Sequence, residues 1–379
     1  MALLQQALRR GQPGHIPPGI GLLTNLTTLT ITNTKGPTLT GSIPTEISNL
    51  TKLNVLDLRG NKLTNAIPTQ VGSLTTLTYL NLSDNNFTGN IPASILSANL
   101  NRVTYLDLSK NNLTGQIPNP TGVMTALREL NLSANNLSGP LPARFLVGTN
   151  ATNHAFSGLT NIDLSHNPLN VAGGTVLQSA NTTLQYLNLS YCGLTGGVPD
   201  YSPNSALIYL DISHNNLTGA INTGPLFKLP QLRYIYIGYN NFTAGPFQFG
   251  NGNSAGIPLE VFSAPATNMT AFCTPRIPTD LQRTLREIDI SNNNILHTSA
   301  TNGLPPQGDL NLCTNLEKLD FSNNRIETMR TITTLTKLKY YNVSGNNIPS
   351  TVLTTGYFTA NTNLEEIYIN NNNLSRDIT

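Results

Sequence analysis

Tryptophan is absent from this 379-residue chain, and charged residues make up only 11% of it. The formal net charge is +2 with no basic block, so nucleic-acid or polybasic membrane binding has no electrostatic footing. Cysteine is scarce. Cys192, Cys273 and Cys313 stand far apart and form no CxxC pair, so neither a metal site nor a disulfide framework is expected. No apolar stretch approaches the roughly 18 residues that cross a bilayer. The opening MALLQQALRRGQPGHIPPG has an apolar run too short for a signal-peptide core, and its Arg pair follows that run instead of preceding it. Neither a Gly-rich phosphate loop nor a catalytic-loop Asp is present, so no kinase element and no cofactor is expected.

What the chain does have is a repeat. LNVLDLRGNKL at 53–63, LTYLNLSDNNF at 77–87, LRELNLSANNL at 127–137 and LIYLDISHNNL at 207–217 share the pattern LxxLxLxxNxL. It begins at Leu26, Leu53, Leu77, Val103, Leu127, Leu159, Leu184, Leu207 and Leu232, and resumes at Leu285, Leu316, Leu338 and Leu364. Steps are mostly 22 to 27 residues, and the largest is the 53 between Leu232 and Leu285. A degenerate repeat near 259–284, with Leu259, Phe262, Ala264, Thr267 and Met269 in the motif places, divides that step into 27 and 26. Residues 1–25 then read as an N-terminal segment with a partial repeat, and 26–379 as one domain of about 14 repeats. Longer steps after Leu127 and Leu285 mark looser loops around 144–158 and 297–312.

Each motif place has a physical job. The xLxLx segment is a short strand, so its leucines face a core and the residues between them face out. One strand cannot bury its own apolar side, so neighbouring repeats must stack in a parallel sheet. The Asn place needs a side chain that both donates and accepts, to satisfy backbone groups where the chain leaves the strand. Thr34 and Cys192 replace it in two repeats and can still donate, which makes Cys192 structural. A second signature, LxGxIP, follows the strand as LTGSIP at 39–44, FTGNIP at 87–92, LTGQIP at 113–118 and LSGPLP at 137–142. Proline stops helix propagation, so the return path should be extended or 3₁₀.

With LxxLxLxxNxLxGxIP complete, the chain resembles the plant-type leucine-rich-repeat class over roughly residues 16–379. That class includes receptor-like kinase ectodomains, receptor-like proteins and polygalacturonase-inhibiting proteins. The resemblance implies an α/β solenoid: a right-handed curved superhelix with its parallel sheet on the concave face and a mostly extended or 3₁₀ convex face. It also implies a non-catalytic recognition module, cell-surface or secreted, that binds a protein, peptide or glycan. Family members carry cysteine-bearing caps at both ends, which these ends lack. A fragment or an unusual lineage is therefore expected.

Several constellations on the outward face weigh for or against function. Ser recurs after Asp or Asn in the LDLS and LNLS strings, and His166 and His214 follow two of those serines. The types suggest a hydrolytic triad, but a triad needs one unique geometry and these residues recur in strand after strand. No catalytic residue is expected. The two histidines are two repeats, about 10 Å, apart, too far to share a metal ion. Tyr79, Tyr105, Tyr186, Tyr209, Tyr234 and Tyr340 occupy one outward place. Tyr191, Tyr236 and Tyr239 lie near three of them, with His214 and Arg233 beside them, so six of the thirteen tyrosines are expected in one concave patch. Tyrosine brings large contact area, few rotors and a polar tip to binding hot spots. It also favours strands in general. The candidate ligand-binding residues are therefore Tyr79, Tyr105, Tyr186, Tyr191, Tyr209, His214, Arg233, Tyr234, Tyr236 and Tyr239. Charges of alternating sign on the same face, such as Arg286 with Glu287 and Glu317 with Lys318, steer a partner or keep the face soluble.

Asn-x-Ser/Thr triplets are abundant, but most are written by the repeat itself. Asn150, Asn181 and Asn268 read as lying outside that template and are the candidate glycan acceptors. Other roles remain open: a passive cell-wall or matrix protein, ice adsorption, inhibition of a secreted glycosidase, or a cytoplasmic scaffold. Oligomeric state is not legible.

Overall fold

The computed structural model describes residues 14–32, 38–142, 155–172, 183–198, 201, 205–221, 229–249, 257–273, 276–298, 304, 307–329, 332–350 and 356–374. They divide into two compact units, Met1–Leu194 and Thr195–Thr379.

In the first unit, seven three-residue strands pair in parallel: Thr28–Thr30, Val55–Asp57, Tyr79–Asn81, Tyr105–Asp107, Glu129–Asn131, Asn161–Asp163 and Tyr186–Asn188. The register advances by one whole repeat per strand, so Leu29, Leu56, Leu80, Leu106, Leu130, Ile162 and Leu187 form one row. Every member of that row is 2% exposed or less. Each such side chain contributes on the order of 2 kcal/mol through burial, which a single three-residue strand could never secure alone.

The second unit repeats the scheme with Tyr209–Asp211, Tyr234–Tyr236, Val261–Ser263, Glu287–Asp289, Lys318–Asp320, Tyr340–Asn342 and Glu366–Tyr368. Its inward row is Leu210, Ile235, Phe262, Ile288, Leu319, Tyr341 and Ile367. Val261–Ser263 comes from the degenerate repeat and pairs on both sides. There Phe262 packs with Phe247, Phe249 and Phe272 at ring separations of 4.6 to 5.6 Å, filling with aromatics what leucine fills elsewhere. Tyr341 is buried where its hydroxyl meets that of Tyr357 at 3.1 Å, and burial raises the pKa of both.

A spine of asparagines joins turn to turn. Asn111 Nδ2 donates to the carbonyls of Leu108 and Ser109 in its own turn and to Leu82 in the preceding one, each at 3.1 Å. Its Oδ1 accepts from Phe87 N–H. Asn61, Asn85, Asn135 and Asn167 do the same in the first unit, and Asn240, Asn293, Asn324 and Asn346 in the second. Cys192 Sγ donates to Leu164 O at 3.2 Å and to Ser190 O at 3.5 Å, keeping the donor role. Thr267 donates through Oγ1 to Ala264 O at 3.0 Å. Thr34 lies outside the described residues.

The return path in the first unit runs through 3₁₀ turns Pro18–Leu22, Thr45–Asn49, Thr69–Ser73 and Ala93–Leu96. Pro44, Pro68 and Pro92 stand just before three of them with φ of −70°, −69° and −61°, the value the ring imposes. Between main strand and return path lie short lateral sheets, such as Thr88–Asn90 with Asn112–Gly115 and Asn136–Leu137. In the second unit the return path also holds two short α-helices, Thr279–Thr284 and Gln307–Asn311. The loose loop expected at 297–312 is thus partly helical. Buried Asp309 anchors it by accepting from Ile277 N–H at 2.9 Å, with Arg276 3.8 Å away. Of the loop expected at 144–158, residues 144–154 lie outside the described residues.

Candidate functional site

Alternation along each three-residue strand leaves its first and third residues on the outward face. In the first unit, Tyr79 and Tyr105 are register partners on adjacent strands, and their rings stack at 4.7 Å and 5°. Asn81 Nδ2 donates to Tyr79 OH at 3.3 Å, and Tyr105 OH donates to Asp107 Oδ2 at 3.1 Å. Burial, and then the Asp107 carboxylate, push the Tyr105 phenol well above its usual range. Tyr186 is half-buried on its strand. Tyr191 lies just beyond the strand at φ 54°, is 45% exposed, and stacks on His166 at 4.3 Å and 14°.

In the second unit, Tyr209 lies 6.3 Å from Tyr234 and 5.4 Å from Tyr236, ring to ring. His214 and Tyr239 stack at 4.2 Å and 11°, and Tyr239 is 46% exposed. Tyr234 OH donates to Glu260 Oε2 at 3.1 Å. Burial, followed by that carboxylate, raises the Tyr234 pKa. Arg233 is bound by both Nε and a terminal nitrogen to the same Glu260, so it reaches the face already paired.

That pair opens a ladder. Arg233, Glu260, Arg286, Glu317 and Lys339 hold the same place in consecutive repeats, and each contacts the next. Lys339, then Arg286, hold the Glu317 carboxyl below its usual range. The alternating charges noted in the sequence therefore answer one another along this part of the sheet. Because the ladder is half open to solvent, Glu317→Gln is expected to lower stability by no more than about 1 kcal/mol. A depressed folded-state pKa adds stability above the unfolded-state value that is lost as pH falls through the folded one. Thermal melts should accordingly show the wild-type advantage shrinking on acidification through the carboxylate range and in roughly 1 M salt. An advantage of several kcal/mol that salt leaves untouched would contradict a screened ladder.

The serines of the LDLS and LNLS strings are turn residues. Ser165 Oγ donates to Asp163 Oδ1 at 2.7 Å and Ser213 Oγ to Asp211 Oδ1 at 2.6 Å, with Ser165 and Ser213 N–H on the same oxygens. Ser83, Ser133 and Ser190 make the same pair of bonds to Asn81, Asn131 and Asn188, where no carboxylate exists. A geometry indifferent to charge serves the turn and does not activate a hydroxyl. Among the described residues, no three His, Cys, Asp or Glu side chains converge as metal ligands. All three cysteines are buried, and burial raises the pKa of Cys273 and, to about 12, that of Cys313.

Asn150 and Asn181 lie outside the described residues. Asn268 is exposed, with Nδ2 donating to Phe242 O at 2.9 Å. It directly precedes lateral strand Met269–Phe272, the counterpart of Asn112 in its repeat, so it lies on the template after all. Its repeat carries Thr267 in the spine place, so the triplet lacks the preceding Asn that Asn112 has in Asn111.

Sequence reasoning also passed over His166 as a ring partner and Glu260 as the counter-ion of Arg233. Both were readable by laying the repeats in register. The left-handed backbone of the place just before the spine Asn had no such signal. Asp84, Lys110, Ala134, His166 and Tyr191 in the first unit have φ between 52° and 54° there. His214, Tyr239, Ala266, Asn292 and Asn323 in the second have φ between 51° and 55°.

A stack of parallel strands presenting aromatics and mutually paired charges defines a repeat protein built to display a surface. The Leucine rich repeat family models match residues 75–137 and 184–242, and 52–74 and 315–338. A comparison with curated protein sequences finds no match. Among solved structures, the chain is similar to the leucine-rich-repeat ectodomain of the Arabidopsis receptor kinase HAESA, crystallised with an IDA peptide hormone ligand. Identity there is 27% and the TM-score 0.73, over 96% of this chain and 56% of that one. A TDR receptor gives 25% identity and a TM-score of 0.67, over 96% of this chain and 63% of that one. A plant ice-binding protein gives 31% identity and a TM-score of 0.51, over 63% of this chain and 72% of that one. The chain belongs to the plant-type leucine-rich-repeat proteins. It spans less than two thirds of the length of either receptor chain.

Proposed function

We propose that the chain is a ligand-recognition module that holds a peptide, protein or glycan on the outward face of its sheet, at a cell surface or outside the cell. The observation that carries this reading is the tyrosine cluster of the second unit, where Tyr209 contacts both Tyr234 and Tyr236. Those rings lie half-buried on short strands whose inward residues supply the core, so their outward placement adds little to folding. Rigid amphipathic rings with few rotors lose little entropy when a partner covers them. The HAESA ectodomain, similar over nearly all of this chain, is a peptide-hormone receptor domain, which favours a ligand of that kind for a related face. The test is to expose the full chain to arrays of secreted peptides and of neutral oligosaccharides. Saturable binding to one of them is expected, and the absence of any binder on both overturns the reading.

A second reading has its own support. On the lateral sheets Thr88 pairs in register with Asn112, Thr114 with Asn136 and Thr195 with Asn216, giving uncharged rows of hydroxyls and amides. Together with the likeness to an ice-binding protein, this favours adsorption to ice. Thermal hysteresis that disappears when Thr88 and Thr114 become Lys would establish it in place of recognition.

A further inference from the structure

The place just before the spine asparagine is left-handed in turn after turn, so its side chains form a column with one member about every 4.8 Å. In the second unit the column runs His214, Tyr239, Ala266, Asn292. The backbone ties successive members together: His214 N–H donates to Gly238 O, Tyr239 N–H to Pro265 O, and Ala266 N–H to Ser291 O. Bulky residues with positive φ are uncommon, and here two in succession stand upright with their rings face to face. His214 covers one face of Tyr239. Over the other face the next residue is Ala266, a methyl group, and the ring that would continue the stack is absent. Gly238 permits the close packing of the next turn here, since a Cβ there would lie 2.5 Å from Pro265.

The result is a slot with Tyr239 as one wall, Ala266 as floor and Asn292 as the other wall. Two steps of the column span about 9.6 Å. A ring standing over Ala266 is then about 4.8 Å from each wall, stacking distance for one ring and no more. The far wall is polar and oriented. Asn292 Oδ1 accepts from Asn323 Nδ2 at 2.9 Å, and its Nδ2 donates to Ser291 Oγ at 3.3 Å. This fixes the amide plane and leaves one N–H and one lone pair for a ligand. All three bounding residues are neutral.

We propose that this slot binds one pyranose ring of a neutral glycan, one C–H face on Tyr239 and a hydroxyl at its rim reaching the Asn292 amide. A wholly apolar ring would strip water from that amide without replacing the bonds. A guanidinium would find no carboxylate among the bounding residues. The proposal rests on the recognition reading and names its ligand class.

Ala266→Tyr tests it by filling the slot with the residue that the column already accepts at Tyr191 and Tyr239, so folding should be unchanged. The probe is an array of neutral oligosaccharides that includes cellohexaose and chitohexaose, with the full chain in solution. Wild type should be retained, and Ala266→Tyr and Tyr239→Ala should each weaken retention at least about tenfold. Tyr239→Phe should keep it, and all three variants should melt with wild type. Undiminished binding by Ala266→Tyr overturns the slot. So does retention of wild type by peptides alone, although recognition then stands. Silence on both arrays overturns slot and recognition together.

Discussion

Asn111→Ala is expected to lower the unfolding free energy by about 2 kcal/mol, a sizeable share of the roughly 5–15 kcal/mol that holds a domain together. The side chain is 7% exposed and makes four hydrogen bonds, one of them to Leu82 O and one from Phe87 N–H in the preceding turn. Alanine leaves the Phe87 N–H without its partner in a place that water reaches poorly, at a cost of about 1–3 kcal/mol. It also takes one donor from each of three carbonyls, which keep Asn85 at Leu82 O, Asn135 at Leu108 O and the Asp84 N–H at Ser109 O. Asn111→Asp should be worse, because it sets a buried negative charge against three carbonyl oxygens. Stability here is a sum over neighbouring turns, so the damage should also loosen cooperativity and broaden the melt. The control is exposed Asn112→Ala, expected within about 0.5 kcal/mol of wild type. Chemical denaturation that gives Asn111→Ala and Asn112→Ala the same midpoint would contradict the spine's role.

Replacing Tyr209 and Tyr234 together by Ala is expected to weaken binding of the retained ligand by roughly 30-fold or more, equivalent to about 2 kcal/mol. The two rings are 6.3 Å apart on paired strands, so a ligand covering one covers the other. The fold should survive, because Leu210 and Ile235 between them carry the core and are fully buried. Thr218→Ala, an exposed site beside the lateral strand Asn216–Leu217, should leave affinity unchanged. Titration calorimetry on the three proteins decides the matter. Equal affinities for the double variant and wild type would remove the tyrosine cluster from the site.

Most of the fold was legible because each repeat place answers one physical demand. Leucines at fixed offsets have to face inward from a strand, and Leu56, Leu80 and Leu106 duly pair in one buried row. Even the degenerate repeat could be placed, since Phe262 and Met269 keep the apolar offsets that Val261–Ser263 and Met269–Phe272 turn into strands. The site was less legible. Which tyrosines lie outward follows from period two, but the stacking of His214 on Tyr239 depends on a left-handed backbone that composition does not announce. Arg233 was read as a ligand contact, and its partner Glu260, 27 residues away, comes into view only when the repeats are laid in register. The helix Gln307–Asn311 was hidden for a similar reason. Asp309 finds its main-chain partner at Ile277, 32 residues back, and nothing nearby in sequence signals that anchor.

Hydroxyl-radical footprinting of the full chain, with and without its retained ligand, would test most directly whether the outward face of the sheet is where recognition happens. The account predicts protection of Tyr209, Tyr234, Tyr236 and the exposed ring of Tyr239, with the lateral strands equally labelled in both states. Protection confined to the lateral strands, with those four tyrosines labelled alike, would contradict it.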